Sequence, residues 1–146
     1  MIRWEKGGGT LDLGLLLEPV GISKYDFIRM AVKEQWGVQV HKDAPLTQKE
    51  AIVTKDLAEV PLILTRRELI QQEMERWFGP YAQRLQINAI GNLPYNMTLL
   101  ARHNVGAFLT IRLHCTYEGL RFIPLSPALE SSTVLAWKKP KPSRRR

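Results

Sequence analysis

The chain has 146 residues, 45% of them hydrophobic and 24% charged, the composition of an ordinary globular protein of one domain or two small lobes. No apolar run approaches the roughly 20 residues that span a bilayer, and the N-terminus lacks the apolar core of a signal peptide, so a cytosolic protein is expected. The single cysteine, Cys115, excludes an internal disulfide and a zinc site built on several thiolates, and the net charge of +7 bears on partners only once it is located.

In chain order, Gly7-Gly-Gly9 opens into Leu11-Asp-Leu-Gly-Leu-Leu-Leu17, a nearly continuous apolar segment that predicts a strand buried on both faces. Glu18-Pro19 ends it, because proline cannot donate to a ladder. Extended structure is predicted over residues 25–32 and 36–41, and the alternation of Val38 and Val40 with Gln39 and His41 predicts one wet face. Thr54 is the expected N-cap of one short helical turn at residues 55–57. Pro61-Leu-Ile-Leu-Thr65 reads as a compact buried strand.

Residues 67–78 follow helical spacing, with Leu69, Ile70, Met74, Trp77 and Phe78 on the face that also carries Glu73. Gly79-Pro80 stops that helix. A strand is predicted at 84–90, a helix at 95–102, a strand at 107–113, and two further extended segments at 119–125 and 131–137, with a turn at Ser126-Pro127. Strands alternating with helices predict an α/β fold with a mainly parallel sheet.

The basic excess is concentrated at the end of the chain. Lys138, Lys139, Lys141, Arg144, Arg145 and Arg146 hold six of the 21 basic residues, and the rest is close to neutral. A short Pro-rich basic tail touches phosphate non-specifically and supplies no element shaped for a groove; it is expected to be a solvated end.

Few residues advertise chemistry. His41, His103 and His114 are far apart, with no pair at the spacing of two metal ligands. Cys115 follows His114 directly, so the two would point to opposite faces of a strand, and a partly buried structural cysteine is expected. Gly7-Gly-Gly9 before Thr10 lacks the lysine and following helix of a phosphate loop and is expected to be a flexible entry segment. No cofactor is implied, and no nucleophile has a base at usable spacing, so no enzymatic activity is expected.

Two strand-to-helix turns stand out. In an open α/β sheet, ligands gather at the carboxyl ends of strands, where helix N-termini offer free N–H groups. Thr65-Arg66-Arg67 and Gly91-Asn92-Leu93-Pro94-Tyr95-Asn96 both occupy such positions and together suit a carboxylate or phosphate. The second is also expected to cap its helix. The alternative, that Arg66 and Arg67 pair on the surface with Glu68 or Glu73, is equally open.

Longer stretches carry a family resemblance. Gly9-Thr-Leu-Asp-Leu-Gly-Leu-Leu-Leu-Glu-Pro19 resembles the "G-x-hydrophobic-D-hydrophobic-G" strand of the effector-binding domain of LysR-type transcriptional regulators. Trp36-Gly-Val-Gln-Val-His-Lys-Asp-Ala-Pro-Leu46 is similar to the family's "H-P-L" segment, with Ala44 in place of its usual histidine. Asp56-Leu57, Pro61-Leu-Ile-Leu64, Asn92-Leu-x-x-Asn96 leading to Val105-Gly106, and Leu135-Ala-Trp-Lys-Lys139 continue the match in order.

The resemblance implies a fold like type II periplasmic binding proteins, two α/β lobes joined by two crossing strands with a small effector between them. Here one lobe would be complete, at residues 35–119, and the other partial, at residues 1–34 completed by 120–146. It also implies effector contacts from Thr65, Arg66, Asn92, Leu93, Pro94 and Asn96 on the complete lobe, and from Leu17, Glu18 and Pro19 at the edge of the partial one.

The implied partners are a small-molecule effector, further copies of the chain in a homodimer or higher oligomer, and DNA only through a helix-turn-helix that this sequence lacks; no membrane is implied. The first strand, first helix and second strand of the family's domain are also missing, which reads as a fragment or shortened frame. A free-standing cytosolic solute-binding module is the alternative.

Overall fold

The computed structural model describes residues 13–139. The Gly7–Gly9 run with Thr10, the first residues of the expected strand at 11–17, and the tail from residue 140 lie outside the described residues. The elements are β1 (Leu13–Leu17), β2 (Tyr25–His41), a 3-10 turn (Pro45–Gln48), α1 (Thr54–Leu57), β3 (Pro61–Thr65), α2 (Glu68–Phe78), a 3-10 turn (Gly79–Arg84), β4 (Gln86–Gly91), α3 (Pro94–Arg102), β5 (Ala107–Ile111), β6 (Leu120–Pro124) and β7 (Glu130–Lys138). The chain divides into a larger unit, residues 34–130, and a smaller one whose described residues are 13–33 and 131–139. Residues 120–130, expected with the smaller unit, belong to the larger, because β6 pairs there with the second half of β2.

In the larger unit β3 lies between β4 and β5 and is parallel to both. Parallel neighbours need a long crossover, and α2 and α3 provide them. The second half of β2 is antiparallel to β5 and to β6. The sheet is therefore mixed, not mainly parallel. No helix occupies the connection from β5 to β6, so β6 returns beside β2 instead of extending the parallel set.

This half of β2 is a central strand whose residues 36–40 are buried on both faces, and Gln39, predicted to be wet, is only 5% exposed. Gly37 is required at its crossing point. A Cβ there would collide with the Phe122 ring and the Ile123 carbonyl.

The core of this unit follows directly from the apolar strands. Leu62, Ile63 and Leu64 of β3 are buried, with Phe108 and Leu109 of β5 beside them. Ile70, Met74 and Phe78 recur every four residues and form the buried stripe of α2, each contributing about 1.5–3 kcal/mol on transfer from water. Leu69, predicted to share that face, is exposed, and Trp77 is half-buried with its indole N–H donated to the Pro127 carbonyl at 3.0 Å. Gly79, at φ 54°, ends the helix in a conformation that glycine tolerates, and Pro80 follows inside a 3-10 turn. On α3, Met97 and Ala101 pack with Ile63 and Phe108.

Two smaller expectations change. Thr54 is the first residue of α1 and not its cap; Val53 occupies the cap, and its backbone N–H is accepted by the Asp56 carboxylate at 3.0 Å. In the smaller unit β1 is antiparallel to β7, in register from Leu13 opposite Trp137 to Leu17 opposite Thr133. β1 is not buried on both faces. Gly14 is buried, while Leu13 and Leu15 on the other face are 56% and 58% exposed.

Candidate functional site

The parallel register of β3 and β4 sets Thr65 opposite Gly91, and the Arg66 backbone N–H donates to the Gly91 carbonyl at 2.7 Å. The two strand-to-helix turns singled out above are thereby neighbours. After β3 the chain is fixed by Gln71, whose side-chain amide donates to the Thr65 carbonyl at 2.9 Å. Arg67 caps α2 through its backbone alone; burial lowers its pKa from the ordinary arginine value. Arg66 is exposed, and among the described residues its guanidinium makes no ion pair. The surface pairing open to Arg66 is not taken up: Glu73 is held by Arg76 at 3.0 Å, and Glu68 accepts from Gln72 at 3.4 Å.

The second turn differs in one respect from expectation. Leu93 is the N-cap of α3, Pro94 is its first residue, and no side chain caps the helix. Asn96 lies inside the first turn and is not the cap; the turn closes the helix through its backbone alone. Proline suits that first position because its fixed φ is helical and the N–H it lacks would have had no partner. The amides of Tyr95 and Asn96 are among those a helix leaves without internal acceptors. Asn92, Leu93, Pro94 and Asn96 are all exposed, and Gly91 must be small because a Cβ would meet the Met97 side chain.

A turn bearing an arginine next to a turn that opens a helix is an arrangement that can attract an anion. The space beneath it is slight. A void of about 10 Å³ among Trp36, Leu64, Thr65, Ile70, Gln71, Met74 and Leu109 has room for about one water molecule. A ligand here would rest on the turns and not below them.

In the smaller unit Leu17 closes β1, Glu18 donates its backbone N–H to the Ser132 carbonyl at 2.9 Å, and Leu17, Glu18 and Pro19 are all half-buried. The Glu18 carboxylate is held by Arg29 through two hydrogen bonds at 2.8 and 2.9 Å. These bonds, above all, lower its pKa from the ordinary carboxylate value. Arg29 carries no signal in the sequence. It lies eleven residues on, in another strand, and only the folded register brings the two together.

The remaining chemistry is dispersed. His41 Nδ1 lies 3.8 Å from the Asp43 carboxylate and His114 Nε2 lies 3.8 Å from that of Glu34, and no group of metal-ligating side chains gathers among the described residues. Cys115, expected to be partly buried, is exposed. β5 ends at Ile111, sooner than predicted, and leaves Cys115 in the following loop, where its contact with Tyr117 pushes the phenol's pKa up.

The mixed α/β sheet, with ligand-type turns at the carboxyl ends of its parallel strands, defines a fold of the type II periplasmic-binding-protein kind. The family model for the LysR substrate binding domain matches residues 7–146, and the chain belongs to that family. No curated protein is similar enough in sequence to count as a relative.

Solved structures share the fold. The effector binding domain of QuiR in complex with shikimate is 16% identical, with a TM-score of 0.75 over 89% of this chain and 63% of that one. A LysR family regulator from Pseudomonas aeruginosa, the PA01 protein, is 19% identical, with a TM-score of 0.74 over 88% and 47%. The BenM effector binding domain with its effector benzoate is 17% identical, with a TM-score of 0.68 over 92% and 64%. The chain thus spans about half the length of the PA01 regulator and under two thirds of the two effector domains. Among the described residues no helix is long and apolar enough to cross a membrane.

Proposed function

We propose that the chain is the effector-sensing part of a LysR-type regulator and that it binds a small anionic metabolite. Thr65, Arg66, Asn92, Leu93, Pro94 and Asn96 of the larger unit supply the contacts. The carrying observation is the 2.7 Å hydrogen bond from the Arg66 backbone N–H to the Gly91 carbonyl, which makes neighbours of the turn bearing Arg66 and the turn that opens α3.

In this reading the domain does no chemistry of its own. Effector binding biases a conformational equilibrium that the complete regulator relays to DNA in the cytosol. Self-association belongs to the same reading and is supported by the exposed Leu13, Leu15, Phe27, Ile28, Met30 and Val32 of the smaller unit.

A thermal-shift screen of small organic acids against their amides tests it. Acids that raise the melting temperature where their amides do not support the reading. A response to amides equal to that of the acids, or to neither, overturns it.

A further inference from the structure

At the opposite ends of the same strands lies the larger of the two spaces described. A cavity of about 270 Å³ is lined by the end of β2 (Val40, His41), the following loop (Ala44, Pro45, Leu46, Lys49), the start of β3 (Val60, Pro61) and the segment from α3 into β5 (Asn104, Gly106, Ala107). All of these belong to the larger unit. Pro61 begins β3 and Thr65 ends it, so the cavity is about 13 Å from the turns described above, at ~3.3 Å per residue.

The lining is chiefly apolar, with three polar residues, His41, Lys49 and Asn104, among it. His41 accepts the Asp43 backbone N–H on Nδ1 at 3.1 Å. With Nδ1 accepting, Nε2 is the ring's donor, and it has no protein acceptor among the described residues. Asn104 stands just past α3 at φ 58°; its backbone N–H satisfies the Ala101 carbonyl at 3.1 Å, and its side-chain amide bonds to nothing among the described residues. Lys49 brings a cation, tied on one side to Asp56 at 3.1 Å. No carboxylate lines the cavity.

Gly106 keeps one wall thin. A Cβ there would press on the Pro61 carbonyl and the Leu62 amide. An apolar hollow with a few convergent donors is the usual form of a small-molecule site. Its volume, just under the roughly 300–1,000 Å³ of sites for drug-sized ligands, suits a smaller molecule.

We infer that this cavity is a second ligand site, for a compact monocarboxylic acid with an aliphatic body. The body fills the space among Val40, Ala44, Leu46, Val60 and Ala107, and the carboxylate meets the donors of His41, Lys49 and Asn104. The site does not depend on the effector assignment, because it shares no residue with it.

The test is a titration of the isotope-labelled chain with hexanoate, and separately with hexan-1-ol, read by amide shifts in nuclear magnetic resonance. Saturable shifts at Ala44, Leu46, Asn104, Gly106 and Ala107 are expected. Hexan-1-ol and the Lys49→Met variant should each weaken binding by about fivefold, the upper end for an exposed ion pair. Ala44→Phe, or Pro45→Trp at the exposed rim, should abolish the shifts while leaving the spectrum of the folded chain dispersed. Non-saturating shifts, shifts confined to residues 65–66 and 91–96, alcohol binding as tight as the acid, or full binding in a folded filling variant would each overturn the proposal.

Discussion

The Arg29 guanidinium grips both oxygens of the Glu18 carboxylate, at 2.8 and 2.9 Å, and so joins the end of β1 to the first half of β2. Because these bonds hold the folded pKa of Glu18 below its unfolded value, the stabilisation is complete above the ordinary carboxylate range. It is lost as pH falls through the depressed folded pKa. The smaller unit should therefore weaken below about pH 4, near the reference carboxylate pKa, and weaken less in Glu18→Gln. Arg29 is largely exposed, so high salt should shrink the difference. Thermal unfolding across pH at two salt concentrations checks this; identical profiles for both chains would contradict it.

Arg66→Ala should weaken a stabilising acid by about 1.5–3 kcal/mol, the range for a hydrogen bond to a charged group. Asn96→Ala should reduce affinity less. With Leu93 as the cap, it should also leave the stability of α3 within about 0.5 kcal/mol of the parent, unlike loss of a true side-chain cap. Calorimetry with the acid, and urea unfolding without it, separate the two effects. A stability loss near 1 kcal/mol in Asn96→Ala would restore the capping role.

Gly37→Ala should destabilise the chain by about 1–3 kcal/mol, because the added methyl meets the Ile123 backbone as well as the Phe122 ring and neither side of β2 is free to move. Gly21→Ala is the control, since nothing lies within 4 Å of its missing Cβ. The two urea midpoints should differ clearly. Equal midpoints would mean that Phe122 turns aside at little cost.

The purified chain should self-associate at micromolar concentration through the smaller unit. Leu13 and Leu15 lie on one face of β1, beside Leu135 and Trp137 in register, while Ile28, Met30 and Val32 alternate along β2. Charged substitutions at Leu15 and Ile28 should shift light scattering toward the monomer. A parent chain already monomeric under these conditions would refute the expectation.

The order of strands and helices was legible because its signals are local. The four-residue recurrence of Ile70, Met74 and Phe78, the stop at Gly79-Pro80 and the apolar run of β3 each specify one element. The neighbouring of the Thr65 and Gly91 turns was legible too, since consecutive strands joined by a helix tend to pair in parallel. Pairing partners far apart in sequence were not. The central place of β2 between β5 and β6, where Gln39 is buried, joins segments far apart in the chain, and nothing within residues 36–41 announces it. The Glu18–Arg29 fork and the cavity beside His41 likewise join separate segments. That Asn96 does not cap α3 has another source. Asparagine is a good capping residue, but Pro94 already starts the helix two residues earlier.

The larger unit is one continuous stretch of chain, with its ends tied where the Trp36 N–H meets the Leu129 carbonyl at 2.9 Å. The smaller unit is instead built from segments on either side of it, since Leu13 pairs with Trp137. On the ribosome this imposes a sequence of events. Residues 34–130 can close their own sheet as soon as they are made, but β1 has no partner until β7 follows them. Leu13 and Leu15 therefore wait, unpaired and apolar, through the synthesis of the whole larger unit, and during this interval the nascent protein is exposed to chaperones and to neighbouring chains.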